Sequence, residues 1–124
     1  MTVRATLGVD VGTSSTKGVL VADDGAILAT ATRAHEVSRP HSGWVEMDAD
    51  VWWSEFVALS RELLSAVPDA AVTAVGVSGM GPCVLLADEG DRPVRPAILY
   101  GVDTRATEQG ARMTAELGED EVVR

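Results

Sequence analysis

The sequence predicts an α/β fold with a mixed sheet, its elements running β-β-β-α-β-β-β-α. Three observations carry that reading. Short apolar stretches follow one another closely between residues 5 and 37, separated by few polar residues. A stretch with helical spacing of large apolar residues comes next, over 48–67, and a continuous β-rich run, 71–79, follows it.

Taken in order, "ATLGVDV" at 5–11 reads as a strand burying Val and Leu, and "TKGVLVAD" at 16–23 as a second. "DDGA" at 23–26 marks a tight turn, because Asp-Gly tolerates the positive φ of two-residue hairpin connections. "ILATATRAHEV" at 27–37 gives a third strand, so the three form an antiparallel meander. "SRPHSGW" at 38–44 is a Pro/Gly/Ser loop. The helix lies in "DADVWWSEFVALSRELLSAV", with Asp48 as its N-cap and Asp50 in the first turn, where negative charge suits the helix dipole. Trp52, Phe56, Leu59 and Leu63 form one stripe with Trp53, Val57 and Leu64 beside it, and Pro68 ends the helix. "AVTAVGVSG" at 71–79 is expected to be a strand buried on both faces and parallel to its sheet neighbour. "CVLLADEGDRPVRPAILYG" is expected to give two strands around a Glu-Gly-Asp turn, and Thr104 to about Leu117 a second helix with Met113 and Leu117 on one face. The acidic end, "GEDEVVR", predicts no structure and reads as a solvated tail. No strand follows the second helix for it to dock on, so the fold is expected to be incomplete.

Composition narrows the function classes. With 124 residues, 46% apolar and 23% charged, the chain suits one soluble globular domain. Its apolar runs fall well short of the roughly 20 residues that span a bilayer, and the N-terminus lacks a signal-peptide core, so a cytoplasmic protein is expected. A single cysteine, Cys83, forms neither an internal disulfide nor a Cys-rich zinc site. A net charge of −9 without any basic cluster argues against nucleic acid and anionic membrane as partners. Nine of the ten basic residues are arginine, and the one lysine is Lys17.

That lysine sits in the stretch with the most chemistry. Asp10 interrupts an apolar strand; it either faces solvent, alternating with Val9 and Val11, or is paired or bound to metal, because an unpaired buried carboxylate costs several kcal/mol. Gly12 follows, able to bring backbone close to a ligand, and then Thr13, Ser14, Ser15 and Thr16 supply hydroxyls and turn amides. Lys17 adds a positive charge. A carboxylate for Mg²⁺, amides for phosphate and a cation beside them are the parts a nucleoside triphosphate site needs. The stretch is not a P-loop, since Thr16 precedes Lys17, Gly18 follows and the segment continues as a strand. "GVSGMG" at 76–81 does not meet the dinucleotide fingerprint either. A phosphate-binding β-hairpin is the expectation.

"GVDVGTSSTKGVLV" resembles the first phosphate motif of the sugar-kinase, Hsp70 and actin superfamily. "RPHSGWVEMDADVWW", "VTAVGVSGMG" and "DRPVRPAILYGVDTR" narrow the resemblance to the FGGY carbohydrate kinases, the group of xylulokinase and glycerol kinase, in matching order over nearly the whole chain. The resemblance implies a ribonuclease H-like, actin-like ATPase fold, with residues 1–124 as the N-terminal portion of the N-terminal domain and the C-terminal lobe absent. It implies transfer of the γ-phosphate of ATP, with Mg²⁺, to a hydroxyl of a sugar or polyol. By position, Asp10 would serve the metal, while Gly12, Thr13, Ser14, Ser15 and Lys17 would hold the phosphates. Gly79, Met80, Gly81 and Pro82, with Tyr100 and Asp103, would face the acceptor. Gly81-Pro82 stands where glycerol kinases have Arg-Glu and xylulokinases Met-His, so neither acceptor is assigned. Tyr100 replaces a common tryptophan, and "YGVDTR" is one residue longer than the usual pattern, with Asp103 and Arg105 aligning. The family's catalytic aspartate lies downstream of Arg124, so no kinase activity is expected from these residues alone. The alternative is a non-catalytic remnant or interaction module keeping the same fold, with a homodimer or another partner covering the unfinished sheet.

Other residues read as structural. Trp52 and Trp53 sit at core spacing on the helix, whereas loop residue Trp44 fits sugar stacking and packing about equally. Glu46, Asp48 and Asp50 serve capping and loop structure, and Cys83 is a small buried residue. His35 and His41 have no partner at ligand spacing and are taken as surface residues.

Overall fold

The computed structural model describes residues 1–122. Its elements are β1 (Val3–Val11), β2 (Ser15–Ala22), β3 (Ile27–Ala34), β4 (Glu46–Met47), α1 (Ala49–Ala66), β5 (Ala70–Gly79), β6 (Ala97–Ile98), α2 (Thr107–Leu117) and α3 (Glu119–Val122). The main sheet has the order β3-β2-β1-β5, with β1, β2 and β3 antiparallel and β5 parallel to β1. The expected meander and parallel crossover are therefore both present. The turn at 23–26 is longer than the two-residue connection expected, and the Asp24 carboxylate closes it by accepting the Ala26 N–H at 2.9 Å.

Alternation along the strands sorts the residues between two faces. Ala5, Leu7 and Val9 of β1 and Thr16 and Leu20 of β2 are buried beneath α1, together with Leu59 and Leu63 of the helix. Gly18 lets the helix sit this close: a Cβ there would lie 3.0 Å from Leu63 Cδ1 and 3.5 Å from Leu59 Cβ. Asp48 caps α1 as expected, accepting the Asp50 N–H at 3.0 Å. Trp53 turns away from the sheet and stacks on Phe56 at 5.5 Å, remaining 68% exposed.

Strand β5 departs from its expected double burial. Residues 73–79 are exposed, Val75 and Val77 among them, because α1 lies mainly over β2 and β3. Val77 pairs with Val9 and Val75 with Leu7, so these valines extend the core face without a cover among the described residues.

A second, smaller cluster of Val45, Met47 and Leu99 lies under the β4–β6 pair, with Val51, Trp52, Met80 and Cys83 against it. Residues 83–101 do not form the expected two strands. Only Ala97–Ile98 is strand; a single bridge joins it to Val84, and another closes the loop between Ala87 and Pro93. Pro93 and Pro96 bring no N–H to a ladder, and the Asp88 carboxylate takes the amides of Gly90 and Arg92. The brief strand β4 had no sequence signal of its own. Helix α2 begins at Thr107 rather than Thr104, and Met113 and Leu117 on it are exposed. Part of the acidic end is helical, at Glu119–Val122; the expectation for residues 123–124 lies outside the described residues.

Leu59 is fully buried at the centre of the helix–sheet contact. Leu59→Ala is expected to lower unfolding stability by about 2–5 kcal/mol in urea titration, and Leu64→Ala, on the exposed side of α1, by much less.

Candidate functional site

The hairpin between β1 and β2 presents its polar residues at one end of the open sheet face. Asp10 pairs in register with Lys17 on one side and with Ser78 on the other, and Lys17 pairs with Thr32. A polar row thus crosses all four strands. Ser78 donates its hydroxyl proton to Asp10 Oδ1 at 2.7 Å. The Lys17 ammonium has no acceptor or counter-ion among the described residues, and both Asp10 and Lys17 are exposed. A cavity of about 560 Å³ lies along this face, lined by Asp10, Lys17, Thr32 and Ser78 with Gly8 and Val19 beneath them.

The turn itself is Gly12, Thr13 and Ser14. It is narrow: the Gly12 N–H donates to Ser15 O at 2.9 Å, and a Cβ on Gly12 would lie 2.9 Å from that same oxygen. The main-chain N–H groups of Thr13 and Ser14 donate to nothing among the described residues, and the hydroxyls of Ser14 and Ser15 are likewise unengaged. Unpaired turn amides between a carboxylate and a lysine form a concavity suited to an anion.

The turn is held from behind by a network that its sequence neighbours do not reveal. His35 donates its main-chain N–H to Ser14 O at 3.0 Å, and its ring Nε2 lies 2.9 Å from Gly12 O. Nδ1 of the same ring faces Glu55 of α1, 2.9 Å from Oε2 and 3.2 Å from Oε1, and Thr16 donates its hydroxyl to Glu55 Oε2 at 2.5 Å. The His35 side chain is 5% exposed and that of Glu55 11%, so His35 is not a surface residue as expected. Burial of Glu55 on an otherwise apolar helix face was the available signal.

The Gly12–Ser14 turn also touches the loop expected to face the acceptor. Thr13 Oγ1 lies 3.3 Å from Met80 Sδ, and the Met80 N–H donates to Val11 O at 3.1 Å. A cavity of about 340 Å³ opens beside them, lined by Val11, Trp52, Val77, Ser78, Gly79, Met80 and Cys83. Gly79 and Met80 are therefore on its wall. Gly81 and Pro82, joined by a cis peptide bond, and the exposed Tyr100 are not. Trp52, expected only to pack, lines this cavity, and its buried indole Nε1–H has no acceptor among the described residues. Cys83 is half-buried there rather than fully enclosed.

Asp103 does not offer a free carboxylate. It accepts the Val45 N–H at 2.7 Å, and Arg105 binds both of its oxygens, at 2.7–3.0 Å. Arg105 in turn donates to buried Glu46 at 2.8 Å, which Arg95 also binds, and lies over the Trp44 ring at 4.0 Å. One face of Trp44 is thereby taken by a guanidinium. Glu46, Asp48 and Asp50 have these structural roles, and no group of three His, Cys, Asp or Glu residues among those described is placed to hold a metal ion. The Arg105 hydrogen bonds, together with the Val45 amide, hold the Asp103 carboxyl far below its ordinary value of 3.8, and Asp103 and Glu46 raise Arg105.

A mixed sheet of this order, opened by a β-hairpin and crossed by α1, has the ribonuclease H-like, actin-like ATPase fold. Residues 5–124 match the model of the FGGY family of carbohydrate kinases, N-terminal domain, and the chain belongs to that family. It is 32% identical over 117 residues to the xylulose kinase of Escherichia coli strain K12, covering 94% of this chain and 24% of that protein. It is 31% identical over 105 residues to a glycerol kinase of Acinetobacter baylyi, covering 82% and 21%. The crystal structure of xylulose kinase from Rhodospirillum rubrum superposes with a TM-score of 0.90 at 33% identity, covering 95% of this chain and 24% of that one. Plasmodium falciparum glycerol kinase with ADP shares the fold, with a TM-score of 0.88 at 20% identity over 97% of this chain and 24% of that one. The chain spans about a quarter of the length of these relatives. No helix among the described residues is long and apolar enough to cross a membrane.

The lowered Asp103 carboxyl sets a pH dependence. Its ion pair stabilises the fold fully above the unfolded-state value, near 4, and the contribution is lost as pH falls below that value towards the folded one. Urea midpoints measured between pH 7 and pH 2 are expected to fall on acidification less steeply for Asp103→Asn than for the parent. Asp88, also lowered by its bonds to Arg92 and Gly90, contributes an acid-sensitive background to both proteins.

Proposed function

We propose that these residues form the phosphate wall and part of the acceptor wall of a kinase that transfers the γ-phosphate of ATP to a hydroxyl of a sugar or polyol. The observation that carries this is the Gly12–Ser14 turn, whose free Thr13 and Ser14 amides lie between Asp10 and Lys17 and which touches Met80 of the second cavity. Family membership and the similarity to xylulose and glycerol kinases support it. Residues 1–124 act as the N-terminal portion of the kinase's N-terminal domain. A second lobe completes the cleft and brings the base that takes the acceptor proton. The protein works in the cytoplasm, where ATP is held.

The side chains present suit Mg²⁺ and ATP. Asp10 keeps one carboxylate oxygen clear of Ser78 for the metal, directly or through water, while Gly12, Thr13, Ser14, Ser15 and Lys17 hold the phosphates. Bound there, the nucleotide supplies the phosphoryl group and the metal neutralises part of its charge. The chain's own contribution is positioning: the turn amides and Lys17 fix the phosphates, and the 3.3 Å contact from Thr13 to Met80 keeps the acceptor wall in step with them. Gly79 and Met80 shape the acceptor cavity, and Trp52 forms part of the same wall. Gly81 and Pro82 continue the chain directly from this wall, Tyr100 is exposed and not part of it, and Asp103 acts only by bracing the 43–46 segment through Val45.

Isothermal titration of the intact protein with Mg²⁺–ATP is expected to give a Kd at least about tenfold weaker for Asp10→Ala, the size of one lost charge-assisted interaction. Equal affinities would show that the hairpin has no phosphate role. In an ADP-release assay over pentuloses, hexuloses and polyols, Trp52→Leu, which reshapes this wall, is expected to raise the acceptor KM about tenfold while leaving the ATP KM in place. An unchanged acceptor KM removes Trp52 from the acceptor site.

A further inference from the structure

We propose that His35, oriented by Glu55, is a positioning residue that aims the Thr13 amide at a bound phosphate. The proposal rests on the nucleotide reading of the hairpin. It starts from the planarity of the peptide bond, in which the C=O and the following N–H point in opposite directions. The Gly12 carbonyl is drawn into the protein by His35 Nε2 at 2.9 Å. The N–H of the same peptide plane, that of Thr13, is thereby sent outward, where it meets no acceptor among the described residues. At the other end of the turn the His35 main-chain N–H draws in Ser14 O at 3.0 Å. One residue thus secures both carbonyls that flank the two free amides.

The protonation pattern follows from what each atom can do. A carbonyl only accepts, so Nε2 carries a proton. Nδ1 lies 2.9 Å from Glu55 Oε2, a distance that two lone pairs do not share, so a second proton lies between them. Wherever along that line it rests, the Glu55–His35 pair is neutral overall, which suits its burial. Thr16 Oγ1 donates to the same Oε2, so Glu55 is held by a strand of the hairpin as well as by its own helix. The ring therefore cannot turn without breaking the bonds at both of its nitrogens in a dry environment, where each lost bond is at its most expensive. Hydrophobic packing alone would leave the ring orientation, and with it the Gly12–Thr13 peptide plane, undetermined.

The test uses the intact protein and its affinity for Mg²⁺–ATP beside its unfolding stability. His35→Phe keeps ring volume without the donor and is expected to weaken binding about tenfold; Glu55→Leu, which frees the ring, is expected to do the same. His35→Gln, whose side-chain amide reaches the Nε2 position, is expected to restore affinity to within about threefold of the parent. Leu63→Ala, a core truncation remote from the turn, is expected to lose stability without losing affinity. If Leu63→Ala weakens binding as much as His35→Phe, or if His35→Phe binds like the parent, the proposal is overturned. A measurement on the parent alone keeps the question open to refutation should the variants not fold: saturating Mg²⁺–ATP is expected to shift the Thr13 amide proton signal, and an unmoved Thr13 signal at saturation overturns the proposal. Loss of affinity in Asp10→Ala with parent-like affinity in His35→Phe refutes only this proposal, whereas parent-like binding by Asp10→Ala refutes the nucleotide reading on which it stands.

Discussion

The pairing of Asp10 with Lys17 across β1 and β2 is the constraint from which the rest follows. Side chains in a strand alternate between faces, so pressing Ala5, Leu7 and Val9 against α1 sends Thr6, Gly8 and Asp10 to the opposite face. A slip of one residue would place Asp10 or Lys17 beneath Leu59 and Leu63, at a desolvation cost of several kcal/mol for each charge. Core formation and display of the polar row are therefore one event. The same register brings Ser78 of β5 beside Asp10, so the parallel crossover after α1 adds to the site as well as to the sheet.

Two buried polar networks then connect parts that the apolar core leaves independent. Glu55 joins α1 to β2 through Thr16 and to the Gly12–Ser14 turn through His35. Asp103, Arg105 and Glu46 join the segment before α2 to β4 and the loop preceding it. In both, a carboxylate with several lone pairs gathers donors from segments distant in sequence, which an apolar contact cannot do with comparable direction. The contact of Thr13 with Met80 lies between them and brings the turn against the second cavity.

The parts of the site that were legible in the sequence are those whose members are neighbours along the chain. Asp10, Gly12, Thr13, Ser14, Ser15 and Lys17 occupy one hairpin, so alternation and turn chemistry were enough to place them together. Gly79 and Met80 follow directly from a strand whose partner was correctly anticipated as parallel. His35 and Glu55 are separated by 20 residues, and neither carries a periodic signal that names the other. Trp52 has the spacing of a core residue, and only the uncovered end of β5 leaves a cavity beside it. Residues 83–101 misled for a local reason, since their apolar composition looks like strand while Pro93, Pro96 and the Asp88 side chain remove the hydrogen bonds a ladder needs.

By itself the sequence determined the meander, the capped helix, the parallel strand and the order of polar groups in the first hairpin. Each depends on contacts between residues close in the chain or on a period of two or 3.6, which one dimension can record. Only the tertiary structure decided which faces stay bare, which carboxylates are free and which are spent on arginine, and how the turn is aimed. Asp10 and Asp103 are the same side chain in similar surroundings of sequence, yet one keeps an oxygen open and the other has both taken by Arg105. The difference lies in which donors the fold brings within 3 Å, and that distance is a property of packing rather than of spacing along the chain.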